Sequence, residues 1–151
     1  MAPAILPVAL PDCVAVADLL VEQMGEHRVH AERSRLREVV TGVMTDDRHG
    51  FMLVAKDDGR VVGVAYVASI LSVEHGGPVG WLEELYVSPN HRGAGIGTAL
   101  LDAVLNAMPN HVMVKDDASR YLIVNDAQCM LLGRHRGELL GRSVDDLYPR
   151  E

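Results

Sequence analysis

The residues whose spacing carries chemistry are Arg92, Gly93, Ala94, Gly95, Ile96, Gly97 and Thr98, the stretch RGAGIGT. Glycines at alternate positions remove side chains where an anion would approach main-chain N–H groups, and they tolerate the positive φ angles that turn those groups inward. The first turn of a following helix adds N–H groups without intrahelical partners, and the summed peptide dipoles place partial positive charge there. Arg92 at the mouth supplies a fixed charge and a forked donor. The guest suited to such a cradle is a diphosphate. It is not a Walker loop, because no Gly-Lys-Ser/Thr closes it, and Gly93, Gly95 and Gly97 do not fit the dinucleotide fingerprint.

Two carboxylates, Glu83 and Glu84, stand shortly before the loop. A carboxylate at the edge of a cleft can take a proton from an amine directly or through water. As neighbours on a strand they are expected to point to opposite faces, which leaves one of them toward the cleft. His27 and His30 lie one helical turn apart with Glu26 and Glu32 nearby, but no third ligand is spaced to complete a metal site. They read as substrate contacts or exposed side chains, and no metal is expected. Cys13 and Cys129 are far apart and in no paired or metal-type spacing, which fits a reduced cytoplasm.

The elements that must position these groups follow from local patterns. Leu82, Tyr86 and Val87 give an extended run, Ser88, Pro89 and Asn90 a turn, and Leu100, Leu101, Val104, Leu105 and Met108 the apolar stripe of a helix. Upstream, residues 5–10 form a short apolar run between prolines, suited to an edge strand or an extended lead-in. Asp12 reads as a helix cap ahead of Val16, Leu19, Leu20 and Met24, with Gly25 ending or bending that helix. A second amphipathic helix spans about 31–44, with Leu36, Val39, Val40 and Val43 as its stripe. Residues 51–56 and 61–71 form a hairpin through Asp57, Asp58 and Gly59, and 72–80 read as a loop.

At 151 residues the chain has room for one ordinary domain, and 48% apolar with 23% charged residues is a globular composition. The net charge of −7 argues against general binding to nucleic acid or an anionic membrane, both of which require a basic surface. No apolar stretch approaches a membrane span, and no leader-type pattern precedes the first helix.

The order Arg92, two residues, Gly95, one residue, Gly97, preceded by LEELYVSPNH and followed by TALLDAV, resembles the acetyl-CoA loop of the GNAT acyltransferase superfamily, whose pattern is Gln/Arg-x-x-Gly-x-Gly/Ala. Two helices, a hairpin, then strand, glycine loop and helix is also that family's order of elements, so the resemblance covers about residues 4–108. It implies an α/β (α+β) fold with a mixed central sheet flanked by helices, and acetyl-CoA as co-substrate. It further implies that Leu85, Tyr86 and Val87 line the pantetheine arm, with the Val87 N–H polarising the acetyl carbonyl, and that the amides after Arg92, through Thr98, hold the diphosphate. Glu83 matches the position used by some polyamine-type members and is favoured as the base over Glu84. The resemblance implies an acceptor pocket lined by the first two helices and their loop, here residues 23–35, and by elements after the fifth strand that are missing or altered; His27, His30, Glu26 and Tyr66 are the candidate contacts. The implied acceptor is a small-molecule or protein amine and the implied protein a cytoplasmic monomer or homodimer, with no haem or flavin.

Beyond Met108 the pattern changes. Residues 111–115 suit a fifth strand, but the run from Val114 to Tyr148 and Pro149 resembles the N-terminal half of a PAS domain, carried by Lys115, Asp116, Tyr121, Asn125, Gly133, Glu138, Gly141 and Asp146. The two resemblances meet within residues 100–108. The expectation is therefore a GNAT-like body over 1–108 and an atypical, partial PAS-like segment over 109–151, whose strands are free to complete the body's sheet. Many GNAT members use a tyrosine on the helix after the fifth strand as proton donor, whereas Asp126 to Leu132 contains none and only Cys129 stands in that region. A competing reading follows: a catalytically impaired remnant carrying a sensory or dimerisation segment.

Overall fold

The computed structural model describes residues 3–74, 76–108 and 110–148; His75, Pro109 and Pro149 therefore lie outside the described residues. The chain divides between Ala103 and Val104 into two compact units.

The first unit is built on a four-stranded antiparallel sheet in the order β1 (Ala4–Pro7), β2 (Gly50–Asp57), β3 (Arg60–Ser72) and β4 (Gly77–Val87). The hairpin between β2 and β3 closes with Asp58 at φ 45° and Gly59 at φ 77°, the left-handed pair that matches the twist of two adjoining strands. Met52, Leu53, Val54 and Ala55 are all buried, so β2 is covered on both faces. On one face lie α1 (Cys13–Glu26) and α2 (Arg33–Thr45): Val16, Leu19, Leu20, Val40 and Val43 form one core with Met52, Val54, Val64 and Tyr86. On the other lies the start of α3 (Ile96–Ala107), where the buried Leu100 packs over Gly63; a methyl group there would sit 3.0 Å from Leu100 Cδ1.

Several local expectations shift. The segment read as a loop over 72–80 is mostly strand, because β3 and β4 run past the end of β2 and pair with each other from Ser69–Gly80 to Ser72–Gly77. Val39 is 52% exposed, so the buried stripe of α2 is narrower than its apolar residues suggest. Asp12 stands at the start of α1 without capping it: its carboxylate accepts from the Ala9 N–H at 3.1 Å and pairs with Lys56 at 2.7 Å, tying the lead-in to β2.

The second unit holds β5 (Met113–Lys115) and β6 (Tyr121–Val124), which pair with each other as a separate two-stranded antiparallel sheet, followed by α4 (Asp126–Leu132), α5 (Arg136–Leu139) and α6 (Val144–Leu147). The expectation that residues 111–115 and 120–125 extend the larger sheet is thus corrected. The Asp116 carboxylate accepts from the Ala118 and Arg120 N–H groups, and this local turn returns β6 alongside β5. Tyr121, Val124, Leu139 and Leu147 form a small core. Beside it the fully buried Asn125 caps α4, accepting from Gln128 N and Val112 N and donating to Leu105 O and Asn110 O. Each polar atom of that side chain is satisfied, which burial requires.

Candidate functional site

β4 ends at Val87, a short 3-10 turn covers Pro89–His91, and the chain then passes through Gly93 at φ 80° and Gly95 at φ 78° into α3. A Cβ at either glycine would meet nothing within 4 Å, so the loop presents bare main chain to open space. Ala99 N–H is the first to bond into the helix, at 3.0 Å from Gly95 O; the N–H groups of Gly95, Ile96, Gly97 and Thr98 have no acceptor among the described residues. These open donors border a groove of about 410 Å³ lined by Leu85, Val87, His91, Arg92, Gly93 and the residues from Gly95 to Thr98. The groove and the helix start lie at RGAGIGT, the stretch from which the sequence leads one to expect an anion cradle.

One wall of that groove is the edge of the sheet. Ser88 N–H donates to Val62 O at 2.9 Å, and the register pairs Val64 with Tyr86 and Tyr66 with Glu84. These residues therefore bond toward β3, whereas Leu85 and Val87 turn their main-chain groups to the free edge of β4. A ligand lying along that edge meets alternating N–H and C=O groups, as an added strand would.

Arg92 lines the groove, but its guanidinium is engaged by the protein rather than free at the mouth as the sequence suggests. Its Nη2 binds both oxygens of Glu26 at 2.8 and 3.0 Å, its Nε donates to Val87 O at 2.8 Å, and its guanidinium lies 5.2 Å from the centre of the Tyr86 ring. Tyr86 donates its hydroxyl to the same Glu26 at 2.8 Å. Arg92 is thus a brace that ties the loop to α1 and β4, and one of the two lone pairs of Val87 O is already taken. The Tyr86 hydroxyl and then the Arg92 guanidinium hold the Glu26 carboxyl below the usual carboxylate range, while burial and that same bond push Tyr86 up to about 12.

A depressed carboxyl contributes stability that is fully present above its unfolded value of about 4.3 and is lost as pH falls through the folded value. Glu26→Gln is therefore expected to be less stable than the parent in urea unfolding near neutrality, with the difference narrowing below about pH 4. A difference that stays constant across the acid range would show that the Glu26 charge is not what holds the brace.

The two glutamates sit at an irregularity that sequence periodicity does not reveal. Tyr66 pairs with Glu84 and Val67 with Leu82, so Glu83 is the extra residue of a β-bulge. A bulge interrupts the pleat and re-aims side chains, and the simple assignment of Glu83 and Glu84 to opposite faces no longer holds. Glu84 accepts from Nε2 of the buried Gln23 on α1. Glu83 is exposed and its charge, after burial, helps to raise Tyr66, whose hydroxyl donates to His49 O at 3.0 Å. The helix α1 thus meets β4 through Gln23 and Glu26, residues that periodicity does not single out as one working pair.

The proposed acceptor residues are not brought together by any contact the structure shows. His27 follows α1 as its terminal cap, His30 lines a separate pocket with Glu32, Arg35 and Leu36, and Tyr66 is turned to His49. The described residues hold no group of three or more His, Cys, Asp or Glu side chains placed for a metal ion. No described helix is long and apolar enough to cross a membrane.

Comparison with known proteins decides the family. The model of the acetyltransferase (GNAT) family matches residues 14–141. The chain belongs to the GNAT family. This GNAT match extends to residue 141, well into the segment read as PAS-like. The GNAT chain is 37% identical over 70 residues to an aminoglycoside N(6')-acetyltransferase type 1 of Stenotrophomonas maltophilia, covering 44% of this chain and 46% of that relative. It is 48% identical over 48 residues, 32% of this chain, to 6% of an uncharacterised protein of Sinorhizobium fredii. The chain therefore spans less than half the length of either curated relative. A GNAT family N-acetyltransferase from Escherichia coli, solved in complex with CoA, superposes with a TM-score of 0.55 at 20% identity, covering 72% of this chain and 57% of that one.

Proposed function

We propose that this GNAT chain is an acetyl-CoA-dependent N-acetyltransferase that modifies a primary amine, on a small molecule or a protein, by direct transfer. The observation that carries the reading is the groove of about 410 Å³, with unpaired amides from Gly95 to Thr98 at one end and the free edge of β4 along its side. CoA fits it on two counts: the space a Cβ would fill at Gly93 and Gly95 is open to diphosphate oxygens, and the edge groups at Leu85 and Val87 match the amides of a pantetheine arm.

When bound, acetyl-CoA supplies the thioester that the amine attacks. The chain's own residues then have distinct tasks. The cradle amides fix the donor, the Val87 N–H polarises the carbonyl on which negative charge develops, and Glu83 or Glu84 takes the proton that the attacking amine must lose. The bulge places Glu83 free of backbone pairing, and Gln23 holds Glu84, so the former has the freedom to reach an incoming amine and the latter a fixed carboxylate near it. The likeness to an aminoglycoside acetyltransferase supports a small polyamine-type acceptor. The two free cysteines, Cys13 and Cys129, are in keeping with a cytoplasmic setting.

A second reading, a chain that binds CoA but transfers poorly, is favoured by one feature: α4 offers no tyrosine to protonate the departing thiolate. The PAS-like interpretation of 109–151 rests on sequence pattern alone.

Both readings require CoA binding. Millimolar acetyl-CoA is expected to raise the thermal midpoint by several degrees, since a ligand at about 100 times its Kd adds about 2.7 kcal/mol to the native state. Absence of any shift at saturating concentration would overturn the assignment. A shift accompanied by amine-dependent thiol release, read with a chromogenic disulfide across mono- and polyamines, supports the transferase; a shift without release selects the impaired binder.

A further inference from the structure

The groove contains one side chain that neither the loop pattern nor the chemistry above has used. His91 closes the 3-10 turn ahead of Arg92, is held there by its own N–H to Ser88 O at 2.9 Å, and lines the groove with the cradle glycines. Its Nδ1 is sealed from solvent without any partner, the counterpart among the described residues being only Gln23 Oε1. A proton on that nitrogen would be a buried donor with nothing to receive it, which is the costlier way to leave a polar atom unmatched. The hydrogen-bond surroundings therefore assign the neutral ring's proton to Nε2, the atom not sealed away.

That assignment has a consequence for ligand binding. With Nε of Arg92 held by Val87 O and Nη2 by Glu26, most of the cationic donor expected at the mouth is committed elsewhere. The donors on the groove wall include the amides from Gly95 to Thr98, the Thr98 hydroxyl and the His91 ring. We infer that His91 is a donor-site residue whose Nε2–H hydrogen-bonds a diphosphate oxygen of the CoA-type ligand, in the place sequence reasoning gives to Arg92. This rests on the CoA reading above and deepens it.

Calorimetric titration of CoA and of dephospho-CoA into the full chain, as wild type, His91→Phe and His91→Gln, tests it. Phenylalanine keeps the planar ring and removes the donor; glutamine carries an amide N–H at nearly the position of Nε2. The expected result is a Kd raised about tenfold in His91→Phe, as for a lost hydrogen bond to a charged group, and restored to within about threefold in His91→Gln. The same loss with dephospho-CoA places the contact on the diphosphate. A phenylalanine variant that binds as wild type overturns the inference, as does a glutamine variant as weak as phenylalanine or a loss confined to CoA with its 3′-phosphate. Should phenylalanine prevent folding, a glutamine variant with more than threefold weakened binding overturns it alone. A wild-type chain that binds neither ligand removes the CoA reading itself, an outcome distinct from the others.

Discussion

Replacement of Gly95 by glutamate is expected to abolish CoA binding. Gly95 has φ 78° and faces open space, so a side chain there is not stopped by the protein but projects into the space proposed for the diphosphate. The substitution combines an unfavourable left-handed backbone, bulk in the anion's place, and a negative charge directed at another negative charge. Loss of two charge-assisted hydrogen bonds, each about 1.5–3 kcal/mol, corresponds to at least a hundredfold weaker Kd. Gly95→Ala separates the contributions: it carries the same backbone strain without charge or reach, and it should retain most of the thermal shift with acetyl-CoA. If Gly95→Glu gave the wild-type shift, the bare loop would not be the donor site. Equal loss in both variants would instead trace the effect to the altered backbone.

The loop's backbone was legible because its determinants are local. Alternate glycines, a preceding strand and a following apolar stripe all lie within residues 81–108, and each obeys a rule of short range. The hairpin over β2 and β3 was legible for the same reason, since Asp58 and Gly59 adopt the left-handed angles that an Asp-Gly pair favours. What escaped was everything set by partners distant in sequence. Arg92 was read as a ligand for phosphate because its partner, Glu26, stands 66 positions away on another element. Glu83 and Glu84 were assigned by the pleat, yet which residue bulges depends on how Tyr66 and Val67 register against β4. The pairing of β5 with β6, though local, was undetermined for another reason: a three-residue strand carries too little pattern to choose its neighbour.

The candidate site divides along the same line. Its donor half, main-chain groups at Leu85, Val87 and Gly95 to Thr98, follows from residues that impose backbone geometry on themselves. Its acceptor half depends on side chains that converge only through tertiary packing, and His27, His30 and Tyr66 were chosen from the family resemblance, which says nothing of this chain's own contacts. The contacts that do form, Gln23 with Glu84 and Glu26 with Tyr86 and Arg92, run from the last turns of α1 to β4 and the loop. They couple the first helix to both the glutamate pair and the glycine loop, so substitutions in α1 should register at the cradle without touching a ligand.

The largest effect on stability is expected at a glycine that belongs to no motif. Gly50 opens β2 at φ 104° and ψ −149°, a region open to glycine almost alone, and it pairs with Ala68 on β3. A methyl group built there would lie 1.9 Å from Val67 O and 2.9 Å from Ser69 N, both backbone atoms of the neighbouring strand. Neither can yield without moving β3, whose Tyr66 and Val67 set the register of the bulge that presents Glu83. Gly50→Ala should therefore cost about 3 kcal/mol or more, a lowering of the thermal midpoint on the order of 10 °C for a chain of this size. Gly59→Ala is the matched comparison: its φ is 77°, but nothing lies within 4 Å, so only backbone strain of about 1 kcal/mol applies. Urea unfolding of the two variants separates strain from collision. Equal destabilisation would mean that β3 gives way at no cost, and the rigid register at the Glu83 bulge would lose its support.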